Sequence, residues 1–168
     1  MKKILISTLI IFSTIITCNA KSFYYDGVGF EYDRKWNING SSSVIIGNKD
    51  DFQILISKER LKEDEKKRYS ADKELDRLSE SAMEQSMYAK KKLINISGVC
   101  ESSINGIPVK YIDVQYSKKE NHRHYHFEWN GYKFSIELSG KGNKFYKEFE
   151  KILSTFTFMP EHGSSRYM

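Results

Sequence analysis

The sequence predicts an α+β domain built on a largely antiparallel sheet. Three observations predict it. Strand-like segments open the chain ahead of any helical pattern, one long apolar stripe at helical spacing follows, and two Asn-Gly pairs, Asn105-Gly106 and Asn130-Gly131, each sit between segments of strand composition. Strands, a helix, two hairpins, a second helix and a final strand are not the strict strand-helix alternation that builds a parallel sheet.

Residues 1–20 read as a leader. Lys2 and Lys3 precede an apolar run over residues 4–16, and the segment closes on Cys18-Asn19-Ala20. The run is shorter than the ~20 apolar residues that span a bilayer, and Ala20 is small, as a signal peptidase requires at its cut. The chain is therefore expected to be exported, periplasmic or secreted, with no transmembrane helix after cleavage. A second reading stays open: Ile15-Ile16-Thr17-Cys18 loosely resembles a lipoprotein box, poorly matched at Thr17, and Cys18 would then carry a lipid anchor to the envelope.

The domain itself is expected over residues 21–160, with a polar, loose tail over 161–168. Residues 22–25 are rich in aromatics, and Gly27-Val28-Gly29-Phe30-Glu31-Tyr32 alternates apolar with small or polar residues before Trp36. Ser41-Ser42-Ser43 follows Asn39-Gly40 and reads as a loop. Val44-Ile45-Ile46 and Phe52-Gln53-Ile54-Leu55-Ile56 flank the turn-forming Gly47-Asn48-Lys49-Asp50-Asp51, which suggests a hairpin.

Lys58-Glu59-Arg60 and the mixed-charge stretch over 62–68 read as solvated helix or loop. The main helix then starts after Ser70, a good N-cap residue. Its stripe is Ala71, Leu75, Leu78, Ala82, Met83 and Ala89, running to about Lys91, and Lys90-Lys91-Lys92 complements the C-terminal end of the helix dipole.

The Asn130-Gly131 turn fixes a register. A two-residue loop places Trp129 opposite Tyr132, Phe127 opposite Phe134 and Tyr125 opposite Ile136 on one face. The other face pairs Glu128 with Lys133, His126 with Ser135 and His124 with Glu137. A closing helix from about Asn143 shows Phe145, Phe149, Ile152 and Leu153 at i, i+4, i+7 and i+8, with Lys144 placed to pair with Glu148. A short strand over 155–158 precedes Pro160.

Composition narrows the function classes. Cys100 is the one thiol left after the leader, so no intramolecular disulfide staples the domain, and packing must hold it, for which a whole-chain content of 11 Tyr, 10 Phe and 2 Trp supplies aromatic side chains. Losing Lys2 and Lys3 with the leader lowers the net charge from +5 to +3. Basic and acidic residues are interleaved, which is not a nucleic-acid footprint.

The words Gly27-Val28-Gly29-Phe30-Glu31-Tyr32, Trp36, Ile104-Asn105-Gly106-Ile107 and Ile152-Leu153-Ser154-Thr155-Phe156-Thr157-Phe158 resemble the PsbP-like superfamily, which includes small exported bacterial proteins and lipoproteins. The resemblance implies an αβα sandwich around a central antiparallel sheet and a non-enzymatic accessory or binding role. Arg34-Lys35 precedes Trp36 where many relatives have a proline.

One constellation carries possible chemistry. His122, His124 and His126 recur at strand period on the face opposite the aromatic pairs, where neighbouring imidazoles can converge on one ion, with Glu137 across from His124. Zinc, copper or nickel fits such donors. The plainer reading is a flat, solvated, polar sheet face, and on it no catalytic, cofactor or metal residue is assigned.

Met83 and Met87 at i, i+4 read as core packing, Cys100 as a buried inert thiol, and Ser41-Ser42-Ser43 has no His or acid tied to it by a motif. An enzyme assembled from distant Glu31, Asp33 and Asp113 has no spacing in its favour. The sequence thus points to a non-catalytic exported module that binds a protein or envelope component, with metal binding on the histidine strand as the alternative.

Overall fold

The computed structural model describes residues 20–41, 43–88, 92–116, 120–142 and 144–158. Residues 1–19 of the leader with Cys18, Ala89-Lys90-Lys91, Asn143, Pro160 and the tail over 161–168 lie outside the described residues. The elements in chain order are β1 (Ala20–Tyr25), β2 (Val28–Asp33), β3 (Asn37–Ser41), β4 (Val44–Lys49), β5 (Phe52–Arg60), α1 (Glu63–Lys66), α2 (Ala71–Tyr88), β6 (Asn95–Ile96), β7 (Cys100–Ile104), β8 (Ile107–Gln115), β9 (Glu120–Trp129), β10 (Tyr132–Lys141), α3 (Phe145–Ser154) and β11 (Thr157–Phe158).

The central sheet runs β3-β4-β5-β10-β9-β8, with β6 and β7 sharing the outer edge of β8. A small sheet, β1-β2-β11, lies beside it, and every pairing in both is antiparallel. Hairpin turns set the registers. Asn105 and Gly106 have φ of 47° and 81°, and Asn130 and Gly131 have 50° and 77°, the positive pairs a two-residue type I′ turn demands. The expected partners across the second turn are those observed, from Trp129↔Tyr132 through His124↔Glu137.

The layers follow from the alternation this register imposes. On one face, Tyr125, Phe127, Phe134, Ile136 and Leu138 are buried against Phe145, Phe149 and Ile152 of α3 and against Val28, Phe30 and Phe156 of the small sheet, with Trp36 in the same cluster. On the other face, Leu75 and Ala82 of α2 pack on Ile112 and Val114 of β8. The result is the αβα sandwich expected.

Several boundaries differ from the sequence reading, each for a physical reason. Gly27 is in a turn rather than a strand: Asp26 and Gly27 have φ of 49° and 75°, another positive pair. Gly47 and Asn48 belong to β4, not to the turn, which shrinks to Asp50-Asp51. Gly47 is buried there, and a Cβ on it would stand 2.4 Å from Ile38 Cδ1 and 2.7 Å from Ile54 Cγ2.

Asn37–Ser41, read partly as loop, is an edge strand paired with β4, while Ser42 lies outside the described residues. Lys58-Glu59-Arg60 continues β5 because β10 pairs with it to its end, and only residues 63–66 of the charged stretch are helical. Met83 is 44% exposed and Met87 80% exposed, so neither packs in the core: α2 has one narrow apolar stripe, and both methionines fall outside it. Cys100 is half-buried on edge strand β7 rather than buried. Glu148 pairs with Lys49 at 2.8 Å, so the i, i+4 partner Lys144 is not the one it takes.

Candidate functional site

Antiparallel pairing places directly opposed residues on the same face, so the α2 side of the central sheet can be read as rows running across the strands. One row is Ile46, Leu55, Glu137, His124 and Ile112. A second is Val44, Ser57, Ser135, His126 and Lys110, and a third is Asn48, Gln53, Ser139, His122 and Val114. The β8 end of each row lies toward α2. The β4 end does not, and Ile46 there is 41% exposed.

The histidine strand is therefore not on a flat solvated face. Helix α2 crosses over it, and Leu78, Ser81, Ala82 and Gln85 enclose with His122, His124 and Glu137 a cavity of about 280 Å³. Within it, ligand atoms of His122, His124 and Glu137 all lie within 4.8 Å of one another. His122 Nδ1 is 3.5 Å from Glu137 Oε1 and His124 Nδ1 is 4.0 Å from Glu137 Oε2. The two imidazoles are nearly parallel, 11° apart with centroids at 6.2 Å, and Tyr116 meets His122 edge-on. On its other side, His122 Nε2 is 3.2 Å from Glu120 Oε1.

Electrostatics separate these groups. Burial alone would push the His122 pKa down, but hydrogen bonds to Glu137 and Glu120 overcome that and hold it above the ordinary imidazole value. His124 is pushed below it by burial, which the Glu137 and Asp113 carboxylates only partly offset and the His122 imidazole reinforces. The His122 hydrogen bond lowers the Glu137 carboxyl in turn.

His126 does not join the group. Its Nε2 faces Ser135 Oγ at 3.3 Å, and burial lowers its pKa to about 4. It lies on the floor of a second concavity, a trough of about 470 Å³ between α2 and β4, lined also by Val44, Ser57, Glu74, Lys133 and Ser135. Lys133 and Glu59 pair at its mouth at 2.8 Å.

Of the four donors that the sequence brought forward, His122, His124, His126 and Glu137, the structure gathers three. His122, His124 and Glu137 converge, while His126 diverges because the next row of the sheet offers it a serine. Ser81 and Gln85 were missed, since nothing in the sequence says which sheet face α2 covers. Arg123 was missed too. It forms a two-pronged pair with Asp113, both contacts at 2.7 Å, with its guanidinium over the Tyr111 and Tyr146 rings at 4.1 and 4.3 Å. Asp113 is committed to that pair, and Glu31 and Asp33 stand on β2 of the other sheet, so these three acids build no common cleft.

These layers and registers define a PsbP-like α+β fold. No family model matches the chain, and no curated protein matches its sequence. Solved structures do. Cyanobacterial PsbP (CyanoP) from Synechocystis sp. PCC 6803 is 14% identical, the alignment covering 83% of this chain and 92% of that one, with a TM-score of 0.57.

A protein from Bacteroides thetaiotaomicron VPI-5482 is also 14% identical, over 85% of this chain but only 50% of its own length, at a TM-score of 0.52. LpqN of Mycobacterium tuberculosis, described as involved in cell envelope biogenesis, is 15% identical over 79% of this chain and 83% of that one, at 0.46. The likeness to the first two establishes the fold. Among the described residues no helix is long and apolar enough to cross a membrane.

Proposed function

We propose that the chain is an exported accessory protein of the cell envelope that works by binding rather than by catalysis, and that it holds a protein partner in the trough beside α2. The observation that carries this reading is the half-covered sheet face. Helix α2 shelters the β8 and β9 end, while Val44 and Ile46 of β4 leave an apolar strip beside a polar trough whose charges are already paired. A surface of apolar side chains rimmed by satisfied polar groups suits a protein partner. Export rests on the leader over residues 1–20, and the PsbP-like fold is compatible with a non-enzymatic role.

The test is site-specific photo-crosslinking in intact envelopes. A photoreactive residue at Ile46 should capture one defined envelope protein, while the same residue at Tyr24, 60% exposed on β1 of the small sheet, should not. Equal capture from both positions, or none from Ile46, overturns the trough as the binding face. A substrate turnover abolished by a single side-chain change overturns the non-catalytic assignment.

A further inference from the structure

We propose that His122, His124 and Glu137 form a binding site for a zinc-class divalent transition-metal ion, with a further coordination position opening into the cavity beneath α2. The strand period puts both imidazoles on one face of β9, and the hairpin register brings Glu137 of β10 directly opposite His124. The Glu137 carboxylate lies between the two Nδ1 atoms, at 3.5 and 4.0 Å. Four-coordinate zinc, with bonds of about 2.0 to 2.2 Å, wants donor atoms roughly 3.4 Å apart. The present separations reach 4.8 Å at most, so side-chain rotation without movement of the strands draws the donors onto an ion.

A second carboxylate completes the arrangement. Glu120 faces His122 Nε2 at 3.2 Å, so when an ion displaces the Nδ1 proton that His122 shares with Glu137, the ring keeps its Nε2–H on Glu120 and turns the freed Nδ1 lone pair to the metal. A carboxylate behind a ligating imidazole is how metal sites fix the tautomer and raise the basicity of the ligand.

The donors are sheltered, with His122 and His124 side chains 16% and 15% exposed, so bulk water competes weakly for the ion. The cavity of about 280 Å³ leaves room for a bound water or a donor from outside, walled by Ser81 and Gln85 of α2. Two nitrogens and one oxygen favour zinc, or copper as its stronger competitor, over calcium or magnesium, which take oxygen donors. The site is independent of the trough: crosslinking from Ile46 can fail while the metal binds, and the reverse.

The experiment is calorimetric titration of the untagged protein with zinc, then copper, alongside His124→Ala, Glu137→Gln and His126→Ala variants, each checked for folding by circular dichroism. One-to-one zinc binding of micromolar or tighter affinity is expected, weakened at least tenfold in His124→Ala and in Glu137→Gln and unchanged in His126→Ala. Cobalt should give the intense visible absorption of four-coordinate geometry in the unaltered protein, a readout that does not depend on any variant folding. No binding, binding equally weakened by His126→Ala, or affinity unchanged in a folded Glu137→Gln overturns the site and leaves a cluster that holds protons only.

Discussion

Strands β9 and β10 build two faces of opposite character from alternate residues. The α3 face is a continuous aromatic layer. Phe127 stacks on Phe134 with centroids at 5.1 Å, Phe145 meets Phe149 edge-on at 5.4 Å, and Phe30 stacks on Phe156 at 5.4 Å. Among the described residues the buried apolar cluster of the α2 face is Leu75, Ala82, Ile112 and Val114, and the middle of that face is occupied by histidines and a glutamate. The difference teaches a division of labour within one sheet. Apolar burial concentrated on one face supplies stability, which lets the other hold half-buried ionisable groups that cost free energy to desolvate.

Truncations on the two faces sharpen that contrast most. Phe149 is fully buried among Trp36, Phe52 and Phe145, and Phe149→Ala is expected to cost about 4 kcal/mol in denaturant unfolding, transfer and cavity terms together. Leu75 is as fully buried, yet its cluster is small and α2 can settle toward the sheet, so Leu75→Ala should cost about 2 kcal/mol. Equal losses would mean that both faces carry stability alike, and the division would fail.

Acidification probes the α2 face alone. Burial holds His126 at about 4, while in the unfolded chain an imidazole titrates near 6.5. Between those values the unfolded state binds more protons, so stability falls as pH drops. Glu74, facing His126 from α2, partly offsets the burial, and His124 and Lys133 add to it. The expected loss from this group between pH 7 and pH 5 is about 2 kcal/mol.

His122 has the opposite sign, because its raised value gives stability that is present below the ordinary imidazole pKa and lost as pH rises through the folded one. Unfolding at pH 7 and pH 5 of the unaltered protein and of His126→Gln tests this. The variant should lose about 2 kcal/mol less on acidification, and an identical loss in both would show that His126 is not the group responsible.

Much of this contrast was legible in the sequence, and its limits have physical causes. The Asn130-Gly131 pair dictates a two-residue turn, and one turn fixes every partner from Trp129↔Tyr132 to His124↔Glu137. The α3 stripe of Phe145, Phe149 and Ile152 was equally clear, since all three are buried. Gly47 misled because glycine signals a turn or a close approach with the same letter, and here the approach of Ile38 and Ile54 decides. Met83 misled because one helical stripe can be drawn with two widths, and only contact with β8 shows the narrow one. The register already set Glu137 opposite His124 and Ser135 opposite His126, whereas the shelter over His122 and His124 could not be read, for it depends on where α2 crosses the sheet.

The smallest expected effect falls at the rim of the aromatic face, where local and tertiary ion pairing compete. Spacing favours Lys144 as the partner of Glu148, but an i, i+4 pair on an exposed helix surface contributes only about 0.3 to 0.5 kcal/mol. Lys49, at the end of β4, reaches Glu148 at 2.8 Å with its side chain 11% exposed, and Asp33 lies 3.8 Å from the same ammonium. The Glu148 hydrogen bond raises the Lys49 pKa despite desolvation. A sheltered cation with two carboxylates nearby loses more when one is removed than a solvated pair does, so Glu148→Gln should cost about 1 kcal/mol and Lys144→Ala nearly nothing. Equal small losses in urea unfolding would make the pair surface decoration. A loss in Glu148→Gln that rivals Leu75→Ala would mean that the α3 face also relies on charge, and the separation of stability from ionisable chemistry would be less clean than the two faces suggest.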